Sequence, residues 1–347
     1  MIAVFLNRIT KAPGRSTSPA RRVGKILCGA STLLLLAGCD RPAAVAVEER
    51  AAQEPAAAET RTAPARREAA PAAPIVQAHR GAGDLAPENT LPTFELGWRM
   101  GAIPEADVRL SKDGVPVAFH DDTFARLVKD APPELRKKGV HDLTWNELSQ
   151  LDVGSWKGPE YAGQRIPRIA DVFALMRGRP ERRLYLDIKK VPLEQLAAMA
   201  REYGVERQVI VASTRYEYIR EWKRLVPESQ TLLWMGGTQE KLAGRIEELK
   251  ATDFADVTQL QIHVQVGDLQ SDDPFKPSSA FLREVAGELR RRGILFQTLP
   301  WGKHDPVVYA KLMDLGVESF ATDDPETTLK AVRAYREKAT KPNEPNK

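Results

Sequence analysis

Three short segments of the chain bring reactive side chains close together. They are "HRG", with His79 and Arg80; "EADVR", with Glu105 and Asp107; and "LDIK", with Asp187 and Lys189. Residues two apart on a strand point to the same face, so Glu105 shares a face with Asp107, and Asp187 shares one with Lys189. His120 closes the apolar run "PVAFH". Three carboxylates with no cysteine among them suit a hard divalent cation, Mg²⁺ or Ca²⁺, which takes oxygen ligands. Arg80 and Lys189 beside such an ion suit a phosphate, since a guanidinium grips two oxygens at once. Two histidines of near-neutral pKa can take a proton from an attacking hydroxyl and return one to a departing alkoxide. Together these parts describe the cleavage of a phosphodiester.

The elements that must position these groups are short apolar runs alternating with amphipathic stretches. Strands are predicted at "IVQAH", "EADVRL", "PVAFH", "RLYLDI", "QVIVA", "TLLWM", "QLQIHV", "ILFQTL" and "ESFAT". The second and third are joined by "SKDGV", far too short for a parallel crossover, so "PVAFH" returns as the second arm of a hairpin. The remaining eight strands, with helices such as "PLEQLAAMAREYG" and "SSAFLREVAGELRRRG" between them, predict a (β/α)₈ TIM barrel with a small antiparallel hairpin inserted after the second strand. Such a barrel takes roughly 250 residues and carries its chemistry at the C-terminal ends of its strands. A doubly wound open sheet is the competing arrangement. In a barrel strand, Glu105 and Asp107 would be costly unless paired or bound to a metal. His141, His263 and His304 stand in no motif, and His263 reads as a structural strand residue. Trp234 and Trp301 read equally as core or as substrate wall.

The chain has 347 residues, 42% of them hydrophobic, and its net charge of +4 is spread over 51 basic and 47 acidic residues. No long basic block or aromatic-interleaved basic patch is present, so no nucleic-acid partner is expected. Arg21, Arg22 and Lys25 precede an apolar run that is too short to span a bilayer and ends in "LAGC". This pattern resembles a bacterial lipoprotein signal, which implies removal of residues 1–38 and lipidation of Cys39. The membrane would then be a partner through that anchor, and the periplasmic face of the envelope the expected location. The only other cysteine is Cys28, inside the removed segment, so no disulfide is expected. Residues 39–74 are dominated by Ala, Pro, Glu and Arg and read as a disordered tether. The barrel is expected over 75–337 and a disordered tail over 338–347.

The blocks "HRG", "PENT", "EADVRLSKDGVPVAFHD", "LTWNELSQLDVG", "IPRIADVF", "LDIK" and "ATDDP" follow one another along the whole predicted barrel. With them the chain resembles the glycerophosphodiester phosphodiesterase family. The resemblance implies His79 and His120 as acid and base, Glu105, Asp107 and Asp187 as metal ligands, and Arg80 and Lys189 as phosphate contacts. Glu88 of "PENT" would brace the mouth or its metal. The two glycines of "HRGAG" would let the backbone pass close to the phosphate. The sequence departs from the family pattern in three places. Asp187 stands where the family usually has Glu, one residue is missing before Glu105 near Pro104, and Trp301 of "TLPWG" is the nearest match to the family's late "WTVN". The expected substrate is a small glycerophosphodiester. The alternatives are a lysophospholipid or sphingolipid substrate, and a lipoprotein that binds phosphorylated ligands without turning them over.

Overall fold

The computed structural model describes residues 75–340 apart from position 303. Cys39, the signal segment, the tether and residues 341–347 lie outside the described residues. The nine predicted strands are all present: β1 (Ile75–Ala78), β2 (Ile103–Leu110), β3 (Pro116–Ala118), β4 (Leu184–Ile188), β5 (Val209–Ser213), β6 (Gln230–Met235), β7 (Gln259–Val266), β9 (Leu295–Trp301) and β10 (Ser319–Thr322). A tenth, β8 (Phe275–Lys276), has two residues and pairs antiparallel with the end of β7.

Eight strands form a closed parallel ring in the order β1, β10, β9, β7, β6, β5, β4, β2, and the β1–β2 pairing shuts it. Closure rules out the open sheet, because a doubly wound fold leaves two free edges. Each ring strand leads into a helix, from Leu91–Met100 after β1 to Pro325–Thr340 after β10. That last helix continues past the predicted boundary at 337. The strands are buried on both faces, as covered parallel strands must be: every residue of β5 is buried. Outward strand residues such as Val211 and helix residues such as Leu196 pack together in the shell between strands and helices. The barrel interior is partly polar. There the Tyr185 hydroxyl donates to Gln259 (2.7 Å), and the Gln297 amide donates to Ser319 Oγ (2.8 Å) and reaches Tyr185 (3.4 Å).

The insertion after β2 is larger than the predicted hairpin. β3 does run antiparallel to β2, with Val108 opposite Ala118, but the chain then builds a small lobe before the helix Ile169–Met176. The lobe has its own apolar cluster, including Phe119, Phe124, Leu127, Val140, Leu148 and Ile166. Phe119 and Phe124 meet edge to face at 5.4 Å. Burying each such side chain stabilises the lobe by about 1.5–3 kcal/mol, which fixes the loop that carries His120.

Candidate active site

The ring's register brings the acids together. β2 pairs with β4 so that Asp107 lies opposite Asp187, with Glu105 two residues earlier on the same face. Carboxylate oxygens of all three lie within 4.8 Å of one another. Glu105 and Asp107 are almost wholly buried, 3% and 1% exposed. With His79, Arg80, His120 and Lys189 they line a cavity of about 200 Å³ at the C-terminal mouth. The structure therefore brings together all seven residues to which the sequence assigned chemistry there, and Trp301 lines the same cavity.

Each of these groups is held in place by a partner. The ring N–H at Nδ1 of His79 donates to Asp323 Oδ1 at 2.6 Å, and that of His120 donates to Asp121 Oδ1 at 2.8 Å. In both rings Nε2 is left as the free nitrogen. The His120 carbonyl accepts from Arg109 Nε at 2.9 Å, and the Phe119 N–H donates to the Asp107 carbonyl, tying this histidine to β2. Asn89 donates to Asp107 Oδ2 at 2.9 Å and accepts the Asp107 N–H at 3.0 Å. Arg80 adopts a left-handed backbone (φ 52°), in which its N–H donates to Glu105 Oε2 at 2.7 Å. A bulky residue at positive φ is strained. Here the strain aims one segment at both the carboxylate cluster and the cavity.

A chain of ion pairs joins the two sides of the mouth. Glu88 accepts from Arg80 Nη1 at 3.1 Å and from Arg126 at 2.6 and 2.8 Å, and Arg126 donates to Asp121 at 2.7 and 2.8 Å. Glu88 thus braces two arginines. Although Glu88, His120 and Asp121 are close enough to share an ion, the Arg126 guanidinium already spans the two carboxylates. Burial opposes the charge on Asp121, but hydrogen bonds from His120 and Arg126 hold its carboxyl well below the usual range.

Electrostatics separate the three clustered acids. Burial opposes ionisation of Asp107, and the charges of Lys189, His120 and His79 override it, keeping its carboxyl below the ordinary value. Glu105 is pushed up, by burial first and the charge of Asp107 second. Asp187 is also raised, mainly by burial, although Lys189 Nζ lies 2.5 Å from it and 3.3 Å from Asp107. The only hydrogen bond to Glu105 among the described residues comes from the Arg80 backbone. A buried oxygen cluster with one member that no lysine or arginine pairs fits a hard divalent ion, and the shorter side chain of Asp187 still reaches the cluster. Beside the cluster, Arg80 Nε and Gln77 Oε1 are buried with no hydrogen-bond partner. Buried polar atoms are normally satisfied, so these two lining atoms fit a polar ligand, and the arginine nitrogen fits an anion.

His79 is raised to about 9. Burial lowers its pKa, but the Asp323 hydrogen bond and the charges of Glu105, Asp323 and Asp107 outweigh burial. His263, expected to be structural, also lines the cavity. It stacks on Trp234 at 5.0 Å with 9° between planes, meets Trp301 edge-on at 5.7 Å, and donates from Nε2 to Gln261 at 3.2 Å. Burial and the nearby His79 charge lower its pKa to about 4, so its ring is a neutral aromatic wall. Trp234 Nε1 lies 3.4 Å from Asp187. Leu299 and Trp301, two apart on β9, both line the cavity, with Trp301 44% exposed.

The glycines of "HRGAG" are required by contacts within the protein itself. A Cβ on Gly83 (φ +59°) would lie 2.1 Å from the Asp323 carbonyl oxygen, and one on Gly81 (φ +110°) 2.7 Å from Thr93. They permit close approach of the protein's own chain. At Gly83 that approach seats Asp323 beside His79.

Sequence reasoning missed Asp323, Asp121, Arg126, Asn89 and His263 as site residues. Asp323 stands in "ATDDP" and Asp121 in "FHD", but neither block shows which histidine its acid meets. The remaining histidines are remote or differently engaged: His141 is exposed, and His304 pairs with the Tyr309 hydroxyl at 3.2 Å.

A model of the glycerophosphoryl diester phosphodiesterase family matches residues 79–327. A glycerophosphodiester phosphodiesterase of Caldanaerobacter subterraneus is 29% identical over 269 residues, covering 75% of this chain and 98% of the relative. Among solved structures, an Oleispira antarctica phosphodiesterase in complex with the product sn-glycerol-3-phosphate is 27% identical with a TM-score of 0.56. That match covers 75% of this chain and 97% of the other. A glycerophosphoryl diester phosphodiesterase of Parabacteroides distasonis is 25% identical with a TM-score of 0.58, covering 77% and 88%. The match spans the barrel from His79 to the last helix, and on it the chain belongs to the glycerophosphoryl diester phosphodiesterase family, an enzyme of the phosphoric diester hydrolase class.

Proposed function

We propose that this chain is a divalent-metal-dependent phosphodiesterase that splits glycerophosphodiesters into glycerol phosphate and an alcohol, with His79 and His120 as acid and base. One observation carries the reading. Two histidines, each anchored at Nδ1 by its own carboxylate, line the cavity that also holds three clustered acids and an Arg80 Nε that makes no hydrogen bond.

His79, with its raised pKa, is protonated at neutral pH and suits the donor role. His120 suits the acceptor role. His120 takes the proton of the attacking oxygen, which forms the new bond to phosphorus, while the bond to the leaving oxygen breaks and His79 protonates that alkoxide. Where a vicinal hydroxyl of the glycerol attacks, the first product is a cyclic phosphate; where water attacks, it is glycerol phosphate. Arg80 and Lys189 hold the non-bridging oxygens. An Mg²⁺ or Ca²⁺ ion held by Glu105, Asp107 and Asp187 would supply Lewis-acid charge for the phosphate oxygens. Incubating the protein with glycerophosphocholine, glycerophosphoethanolamine, glycerophosphoglycerol and lysophosphatidylcholine, with EDTA and with single metals restored, tests this. Glycerol phosphate or its cyclic form should appear from the deacylated diesters only when metal is present. No turnover of any diester would sink the reading, and faster cleavage of the lysolipid would move the substrate to intact lipid.

The barrel is further proposed to act while tethered by lipid at Cys39. "LAGC" and the adjoining Ala/Pro-rich stretch support this. In a bacterial host the protein should fractionate with membranes, and Cys39→Ser should release it. Membrane association that survives the substitution would refute the anchor.

A further inference from the structure

A second cavity, of about 700 Å³, adjoins the first and shares His263 and Trp301 with it. It lies between the loop after β6 (Gly236, Gly237, Gln239) and the β8 excursion (Phe275, Lys276, Ser278). The excursion is firmly placed: β8 pairs with β7, setting Lys276 opposite Gln265, and the Ser278 N–H donates to Gln239 Oε1 at 2.9 Å across the gap. The inner cavity, at about 200 Å³, is the smaller of the two and shares its wall at His263 and Trp301 with the outer one. Whichever substituent projects past His263 and Trp301 enters the outer one.

The charge of the outer cavity is one-sided. The Lys276 side chain is exposed and makes no ion pair or hydrogen bond among the described residues, and no acid lines the cavity. The nearest acid in sequence, Asp273, is turned to the backbone N–H groups of Phe275 and Ser279. The cavity on the other side of Trp301 contrasts with it, for Asp84, Glu88 and Asp323 stand there beside Arg80, Arg126 and Lys157. An aromatic face can attract a cation, so a quaternary amine is the rival occupant. Such an amine would meet the unpaired ammonium of Lys276 as a like charge.

We propose that this outer cavity is the subsite for the alcohol half of the diester, and that Lys276 makes it favour alcohols carrying an anionic group. The proposal rests on the phosphodiesterase reading and names the substrate class within it. The ring faces of His263, Phe275 and Trp301 contact the carbon skeleton, and Lys276 and the Gln265 amide meet the anionic end.

The test compares kcat/KM for three glycerophosphodiesters whose alcohols differ in charge: glycerophosphocholine (cationic), glycerophosphoglycerol (neutral) and glycerophosphoglycerophosphoglycerol (anionic). The wild-type protein should favour the anionic diester over the cationic one by about fivefold at low salt, the scale of about 1 kcal/mol, and less as salt screens the charge. Lys276→Met should bring the ratio near one, and Lys276→Glu should invert it. Because the readout is a ratio, a uniform loss of activity in a variant does not mimic the result. Turnover of all three with a ratio that Lys276→Glu leaves unchanged, or a wild-type preference for the choline diester, overturns the subsite alone. Absence of turnover on all three in the wild-type protein sinks the phosphodiesterase reading and the subsite with it.

Discussion

Replacing His79 with alanine should lower kcat by about 10³-fold, within the range of roughly 10²–10⁴ that one positioned proton donor contributes, with a much smaller change in KM. The barrel should stay folded, since the ring stands at the mouth and the nearby core is unaffected. Asp323→Asn separates the ring from its support. Asp323 is the leading influence that raises the His79 pKa to about 9 against burial, so its neutralisation lowers that pKa. The acid form is the active one, so activity falls as pH rises through the His79 pKa, and the basic limb of the kcat profile should move to lower pH in Asp323→Asn. A cation among the acids offsets the charges of Glu105 and Asp107 and brings the wild-type limb below 9, but the direction of the variant's shift is the same. Stability follows the same linkage. A histidine whose folded pKa exceeds its unfolded value of about 6.5 stabilises fully below that value, and the contribution is lost as pH rises through the folded pKa. A basic limb that does not move in Asp323→Asn, or a His79→Ala enzyme within tenfold of wild type, would remove His79 from the acid role.

The parts of the fold legible in the sequence are those with local causes. β4 and β5 are short, mostly apolar runs whose length favours strands over helices, and "SKDGV" is too short for a parallel crossover. Closure of the ring was less legible, because it depends on Gln77 and Ala78 meeting Ile103 and Pro104, a match in strand tilt that no local pattern records. β8, at two residues, leaves no periodicity to read. The site divides in the same way. Residues two apart on one strand could be placed on a shared face from spacing alone, and so Glu105, Asp107, Asp187 and Lys189 were found. Asp323 lies 244 positions from His79, and Arg126 joins Glu88 to Asp121 only because the lobe's apolar cluster folds the chain back over the mouth. His263 was read as structural because an isolated histidine in a strand usually is. Its place in the cavity follows from the register that sets it opposite Leu299 and near Trp301.

Removing one carboxylate from the acidic cluster should abolish metal binding and most of the activity, and Glu105 discriminates best. Lys189 lies against both Asp187 and Asp107, and Arg80 Nε lies 3.8 Å from Asp107, so those two acids have cations even without a metal. A self-contained salt-bridge network is therefore a real rival for them. Glu105 is buried with no cationic side chain paired to it among the described residues, and its carboxyl is pushed up by burial and by Asp107. The wild-type protein should gain stability when Mg²⁺ or Ca²⁺ is added. The gain is about 2.7 kcal/mol at a hundred times Kd, a rise in Tm of roughly 5 °C for a domain of about 260 residues. In Glu105→Gln the metal-induced rise should vanish while the metal-free Tm holds or increases, because the amide is a neutral isostere of a carboxyl that burial and Asp107 already push toward its neutral form. The kcat should fall about 10³-fold, the scale on which charge stabilisation of a transition state operates. Chelated wild-type protein that keeps full turnover, with no metal-dependent change in Tm, would instead make the three acids a network organised around Lys189. The phosphate would then be held by Arg80 and Lys189 alone.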